Sequence, residues 1–231
     1  MVLNTSLHKN ILLQILKDIY SEMSIASFLG FKGGTAAYMF YDLGRFSVDL
    51  DFDLLDEKKE DEVFLKVEEI IKKYGQVKES RKKRNNLFFL LSYEEKNQKI
   101  KIEIQRRQFG SKYEPKNYMG IPMLVMAKDD MFAHKLMAMY ERIGKTNRDI
   151  FDVWFFLKNN WPINKEIVEE RSGMSFPALL QKCIVSLGKL SSRKILDGMG
   201  ELLSDSQNDW AKAKLIEDTI FLLKLMKEDK L

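Results

Sequence analysis

An α+β fold is predicted for this chain, with a mixed β-sheet and flanking helices in the N-terminal half and a helical region after it. Three patterns predict this fold. Residues 47–54 alternate apolar and acidic side chains, and residues 86–106 contain two strand-like runs joined by a polar loop, which indicates a hairpin. Beyond Pro122 the apolar spacing is helical throughout. We therefore expect an α/β domain over residues 1–120 and a helical domain over residues 121–231.

Helical spacing of apolar residues accounts for much of the remaining chain. A short helix is expected directly after Thr35, stopping near Gly44, and loops are expected at 164–175 and 204–209. The longer helices are predicted over residues 8–28, 57–74, 129–143 and 148–158.

The charge of the chain permits a nucleic-acid partner without requiring one. The 231 residues include 38 basic and 34 acidic side chains, a net charge of +4. Residues 49–69 are acid-rich, whereas Lys78–Arg84 and Arg106 with Arg107 are basic. An acidic pocket beside a basic rim would suit a metal site that serves a polyanionic substrate. The alternative is that these runs are solvated faces of the protein.

Cysteine content and hydropathy bear on localisation. Cys183 is the single cysteine, so an intramolecular disulfide is excluded. No signal-peptide core is present, and no run approaches the ~20 apolar residues that span a bilayer. We expect a cytoplasmic protein without membrane contact.

The alternating strand carries the sharpest chemical pattern. Asp49 and Asp51 are two positions apart, so both carboxylates face one side of the strand, with backbones ~7 Å apart. Paired carboxylates repel unless a cation offsets them, and Mg²⁺ (or Mn²⁺) prefers such oxygen ligands. Asp53 lies further along the same face, as a rim residue rather than a ligand. Taken alone, the pattern favours a solvated edge strand over a metal site, because short motifs are weak evidence.

A glycine pair precedes the acidic strand. Gly33 and Gly34 allow the backbone to approach a phosphate closely. If a helix begins there, its free N–H groups face that phosphate, with Thr35 adding a hydroxyl and Lys32 a countercharge. The alternative is a plain helix-entry turn. The combination of glycine turn and acidic pair favours a site more than either part does.

The string FKGGTAAYMFYDLGRFSVDLDF resembles the glycine-pair and DxD motif of the nucleotidyltransferase superfamily that includes polymerase β. More specifically, it is similar to the AbiEii/AbiGii toxin family, in which KGGT precedes R-x-S-x-D-[LI]-D-F. Arg45, Ser47, Asp49 and Asp51 fall on those positions without a gap. The resemblance implies a third carboxylate on a neighbouring strand, and Glu103 in KIKIEIQ is the candidate. The family often has Asp there, so Glu is a departure, and a solvent-facing glutamate is the alternative.

A second region, AHKLMAMYERIGKTNRDIFDVWFFL, resembles the family's later KLxAxxxR and RDxxD signature. Asp149 and Asp152 are three residues apart and so share one helical face; helix capping with an Arg148 ion pair is the alternative reading. By resemblance, this helix completes the active-site cleft and orients Lys135 or the nucleotide. The resemblance covers about residues 28–158. The residues that match the signature are Lys135, Arg142, Arg148, Asp149 and Asp152.

The resemblance implies metal-dependent transfer of a nucleotide from an NTP to an acceptor hydroxyl. It also implies a toxin with a separate antitoxin, linked to phage abortive infection. Some relatives modify the 3′ end of tRNA, so tRNA or other RNA is the preferred acceptor. A protein or small-molecule acceptor, or a non-catalytic nucleotide-binding module, is the alternative. Catalytic and metal-binding roles fall to Asp49, Asp51 and Glu103, and nucleotide binding to Lys32, Gly33, Gly34, Thr35, Arg45, Ser47, Lys135, Asp149 and Asp152.

The two histidines and the cysteine are not expected to take part. His8 and His134 are far apart in sequence, and no zinc pattern is present. Cys183 fits a small buried hydrophobic position.

Overall fold

The computed structural model describes residues 4–93 and 98–228 and divides into two compact units. The first unit is built from the chain up to Asp42 and from Phe46–Met126. The second is built from Leu43–Arg45 and from Ala127 onward. The units therefore meet in the sequence after Met126 rather than near residue 120, because residues 121–126 form a strand of the first unit.

A mixed sheet forms the first unit together with helices α1 (Thr5–Ser21), α2 (Gly33–Phe40) and α3 (Glu60–Ile71). Its strands are β1 (Leu29–Lys32), β2 (Leu50–Leu54), β3 (Gln76–Lys82), β4 (Asn86–Tyr93), β5 (Gln98–Gln105), β6 (Tyr113–Tyr118) and β7 (Ile121–Met126). Within the described residues the order is β3-β4-β5-β2-β1-β7-β6. β2 runs parallel to β5 and β1 parallel to β7, and the other neighbours are antiparallel.

The alternating sequences form the centre of this sheet, as predicted. Phe52 on β2 and Ile102 and Ile104 on β5 are fully buried, so the residues between them face the opposite side. The predicted hairpin is confirmed by the antiparallel pairing of β4 with β5. Its predicted loop falls mostly on residues 94–97, outside the described residues.

Four strands were not predicted, and each has a physical reason. The strand β1 has only four residues, too few to show a period. β3 is an edge strand with many exposed polar side chains, so it lacks an apolar alternation. β6 is the other edge and contains Pro115, which cannot donate to a central ladder. The prediction that everything beyond Pro122 is helical is wrong for β7, a short apolar run whose period is ambiguous.

Helices make up the second unit, as predicted. The expected helix over residues 148–158 is confirmed, and the expected loops at 164–175 and 204–209 are largely wrong. Asn164 and Ser204 instead cap the helices that follow them. These helices are α4 (Lys128–Arg142), α5 (Arg148–Lys158), α6 (Lys165–Ser172), α7 (Phe176–Leu187) and α8 (Asp205–Lys227). In the part of the chain that the structure describes, none has the length and apolar character to cross a bilayer.

Candidate active site

Strand register brings two of the predicted acids side by side. Asp51 on β2 is the direct partner of Glu103 on the parallel strand β5, so both side chains project from the same face. Phe52, next to Asp51, is fully buried on the other face and anchors the strand. The sequence placed Glu103 on the polar face of a neighbouring strand, and the structure has it there.

Asp49 directly precedes β2, and a hydrogen bond to its backbone carbonyl oxygen fixes its position. The Thr35 hydroxyl donates to the Asp49 carbonyl oxygen and also lies 2.9 Å from the Ser47 hydroxyl. Both hydroxyl-bearing residues are buried. The side chains of Thr35 and Ser47, predicted to face the nucleotide, therefore hold the chain at Asp49 in this structure. We call Asp49, Asp51 and Glu103 the acidic face.

The glycine turn lies against the acidic face. Gly33 has φ +79°, and a Cβ there would overlap Oδ2 of Asp51 and lie 2.9 Å from the Asp51 Cβ. Only glycine accommodates both the positive φ and this close approach. α2 begins at Gly33, and the side chain of its N-cap residue, Lys32, makes no capping hydrogen bond. The first N–H groups of α2 thus remain without a side-chain cap beside a carboxylate pair.

A lysine that the sequence analysis did not single out completes the acidic face. Lys101 Nζ lies 3.1 Å from Glu103 Oε2 and 3.6 Å from Asp49 Oδ2. Burial opposes the charged ammonium, but Asp49, Asp51 and Glu103 together outweigh it and raise the pKa of Lys101. Asn86 on β4 donates to the other Glu103 oxygen at 2.9 Å. Both oxygens of Glu103 are therefore engaged.

Asp53 has a different environment from the acidic face. It is buried rather than at a rim, contrary to the expectation from sequence. Lys32 Nζ lies 2.5 Å from Asp53 Oδ1, and the Tyr113 hydroxyl donates to Oδ2. Gly30 makes this contact possible, because a Cβ there would overlap the Tyr113 ring. Lys32 is thus positioned by Asp53.

Charged side chains of the second unit form a buried ion-pair cluster, defined by Arg45, Lys135, Asp149 and Asp152. Arg45 binds Asp152 with two hydrogen bonds, of 2.6 and 2.7 Å. Lys135 Nζ lies 2.7 Å from Asp152 Oδ2 and 3.5 Å from Asp149 Oδ1. Arg142 Nη2 lies 2.8 Å from Asp149 Oδ2, as an ion pair without hydrogen-bond geometry. Three of the residues match the RDxxD and KLxA signatures.

Asp152 is the centre of that cluster and is fully buried. Burial would raise its pKa, but the charges of Arg45 and Lys135 and their hydrogen bonds prevail and lower the pKa to about 2. Asp152 therefore orients Arg45 and Lys135. Arg45 and Lys135 are thus the cationic partners of Asp152.

The basic segment Lys78–Arg84 lies mostly on the edge strand β3, and part of its charge is neutralised. Arg81 Nε is 2.6 Å from Glu79, and Lys82 Nζ is 3.3 Å from Glu60. The segment is consequently a weaker basic patch than its sequence indicates.

His8 and Cys183 are both buried, and a buried position was predicted for Cys183. His8 is buried, with Nε2 2.9 Å from the Val48 carbonyl oxygen and Nδ1 bonded to the Tyr93 hydroxyl. Burial lowers the pKa of His8 and raises that of Cys183 to about 12.

The fit of a divalent metal ion depends on the donors. Three hard carboxylate donors, two of them in register, match what Mg²⁺ or Mn²⁺ requires. Among the described residues, however, no three acidic, histidine or cysteine side chains already converge on one point. The Lys101 ammonium stands between Asp49 and Glu103. The donor set fits a hard cation, and a cationic group already contacts two of its members.

Known proteins resemble this chain in sequence and in fold. The family described as "Nucleotidyl transferase AbiEii toxin, Type IV TA system" matches residues 14–212. The crystal structure of JHP933 from Helicobacter pylori has a TM-score of 0.61 at 19% identity, covering 100% of this chain and 95% of that chain. Another H. pylori crystal structure, described as a "putative nucleotidyltransferase", has a TM-score of 0.62 at 19% identity, covering 100% and 97%. No curated protein sequence matches. The two structures show a shared fold.

Proposed function

Since the chain belongs to the AbiEii nucleotidyltransferase family of type IV toxin–antitoxin systems, we propose that it moves a nucleotide from an NTP to an acceptor hydroxyl with a divalent metal ion. The observation that carries this proposal is the register of β2 against β5, which sets Asp51 beside Glu103. The glycine turn against Asp51 adds a phosphate-binding element at the same place.

The metal ion would be held by the acidic face. Mg²⁺ or Mn²⁺ bound there would neutralise phosphate charge during phosphoryl transfer. Asp49 and Asp51 would supply ligands from one strand end, and Glu103 would supply the third from β5. Thr35 and Ser47 keep the backbone at Asp49 in place through their buried hydroxyls.

The chain's own groups would then bind the nucleotide and handle the proton. The first N–H groups of α2, at Gly33, Gly34 and Thr35, bind the triphosphate, and Lys32, oriented by Asp53, adds positive charge. The acceptor oxygen forms a bond to the α-phosphorus while the bond to pyrophosphate breaks. The acceptor proton passes to Glu103.

The buried ion-pair cluster is assigned to positioning Lys135 rather than to binding metal. Lys135 keeps 15% of its side chain exposed, whereas Arg45 and Asp152 are almost completely buried. We assign Lys135 the phosphate contact, with Asp149 and Asp152 holding its ammonium and Arg45 holding Asp152. In this assignment Arg45, Asp149 and Asp152 act on the nucleotide through Lys135.

RNA, and tRNA in particular, is the acceptor we propose. The support is the resemblance to relatives that modify the 3′ end of tRNA, together with the basic segment Lys78–Arg84. A separately encoded antitoxin is the proposed protein partner, in keeping with the type IV toxin–antitoxin family. The pairing of Arg81 and Lys82 with acids weakens the case for RNA. A protein acceptor is therefore the second candidate.

The test is incubation of purified protein with each labelled NTP, Mg²⁺ and total RNA, beside the double variant Asp49→Ala/Asp51→Ala. We expect label on RNA with the parent protein and none with the variant. Label transfer by both proteins would contradict the assigned site. Label on added protein instead of RNA would shift the assignment to the second candidate, and transfer by neither would favour a non-catalytic binding module.

A further inference from the structure

The acidic face has a cation of its own in Lys101. Its ammonium contacts Glu103 at 3.1 Å and Asp49 at 3.6 Å, two of the three carboxylates proposed to bind metal. We infer that Lys101 is the resident counter-ion of this site: it holds the carboxylates together when no metal is bound and competes with the incoming ion. The inference rests on the proposed function for the identity of the metal ligands.

The strand pattern fixes the position of Lys101. Alternation places it on the same face of β5 as Glu103, two residues away. Because Asp51 is the partner of Glu103 in the parallel register, the residue two positions before Glu103 comes beside Asp49. The long side chain of Lys101 therefore contacts Glu103 on its own strand and Asp49 on the neighbouring chain segment.

The charges explain why a counter-ion matters here. Three carboxylates on one face repel each other, and one ammonium among them offsets part of that repulsion. A divalent ion that binds to the same carboxylates meets a positive charge a few ångströms away. Lys101 thus lowers the affinity of the site for metal while it preserves the arrangement of the site.

The substitution Lys101→Met tests this by removing the charge and keeping most of the length. Isothermal titration with Mn²⁺ should show affinity raised about tenfold, because the bound ion no longer meets a positive charge a few ångströms away. Lys101→Arg keeps the charge and should bind Mn²⁺ about as the parent does. Lys99→Met is the matched control, because it removes the same charge from an exposed position on the same strand.

Thermal unfolding gives a second readout. In EDTA, Lys101→Met should unfold at a lower temperature than Lys99→Met, because the carboxylates lose their counter-ion. Saturating Mn²⁺ should remove that difference. If Lys101→Met does not fold well enough to titrate, Lys101→Gln carries the same expectations.

Several results would overturn the inference. They are unchanged or weaker Mn²⁺ binding in Lys101→Met, a stability loss that Mn²⁺ does not correct, or no Mn²⁺ binding in any of the proteins. Failure of the proposed function is a separate result. If Mn²⁺ binds more tightly to Lys101→Met and Asp49→Ala/Asp51→Ala abolishes binding, but no protein transfers a nucleotide, the inference stands and the proposed function fails.

Discussion

The acidic face in the first unit and the buried ion-pair cluster in the second use the same residue types in different proportions. On the acidic face three carboxylates share one ammonium, and Glu103 and Lys101 keep about a third of their side chains exposed, at 30% and 33%. In the buried cluster Asp152 has 0% exposure and two cationic partners. One region carries excess negative charge near solvent, and the other encloses a carboxylate whose charge is fully matched.

This difference indicates that the acidic face is suited to bind a cation, whereas the buried ion-pair cluster is suited to stabilise the fold. A matched, buried ion pair holds its partners in one geometry, and breaking it leaves a charge without compensation. An unmatched group of carboxylates is unfavourable until a cation joins it, so it is suited to recruit one. The acidic face should therefore govern activity more than stability, and the buried cluster should govern stability first.

The largest expected effect is on activity. Asp51→Asn keeps the shape of the side chain but removes its charge, so nucleotide transfer should fall on the order of 10³-fold or more. The unfolding temperature should not fall, because the loss of the Asp51 charge relieves repulsion among the carboxylates. Transfer rates and calorimetric unfolding of the same preparations measure both. Retained activity, or a large loss of stability, would place Asp51 among structural residues.

The next largest effect is on stability. Asp152→Asn leaves Arg45 and Lys135 without their carboxylate and should lower the free energy of unfolding by about 3 kcal/mol. All three tryptophans, at positions 154, 161 and 210, lie in the second unit, so their fluorescence follows its unfolding. Asp209→Asn, at an exposed position, should change the unfolding free energy by less than about 0.5 kcal/mol. Equal effects of the two substitutions would contradict the proposed role of the buried cluster.

Acid should weaken the buried cluster in a defined range. The pKa of Asp152 is about 2 in the folded protein, below its unfolded value near 4. The contribution of its charge to the free energy of unfolding is therefore complete above pH 4 and is lost as pH falls through 2. The contribution is about 2 kcal/mol. The stability difference between parent and Asp152→Asn should therefore shrink by that amount from pH 5 to pH 2. A stability difference independent of pH would show that Arg45 and Lys135 do not lower the pKa of Asp152.

The smallest effect concerns the glycine turn. Gly33→Ala should destabilise the first unit by about 1–2 kcal/mol, because a side chain is unfavourable at φ +79°. It should also weaken Mn²⁺ binding, since the methyl group displaces the Asp51 carboxylate. Gly173→Ala is the control: φ is +65° there, and nothing lies within 4 Å of the added atom. Equal Mn²⁺ affinity in both variants would show that the contact with Asp51 is unimportant.

Much of the fold could be predicted, because short-range periodicity determines it. β2 and β5 alternate strictly, and α5 repeats its apolar residues at helical spacing, so each was identified from its own sequence. The edge strands β3 and β6 and the short strand β7 carry no such pattern. Pairing with a neighbour decides their structure, and that neighbour is distant in sequence for β7, which pairs with β1.

The sequence by itself determined the acidic alternation, the glycine turn and the resemblance to a nucleotidyltransferase family, because each is a local run of residues. Only the tertiary structure decided what each charge meets. It placed Lys101 among the acids and the Tyr113 hydroxyl in a hydrogen bond with Asp53. It also paired Asp152 with Arg45, a residue 107 positions away. The reason is physical: periodicity fixes which face a side chain occupies, whereas charge compensation depends on which strands and helices pack together.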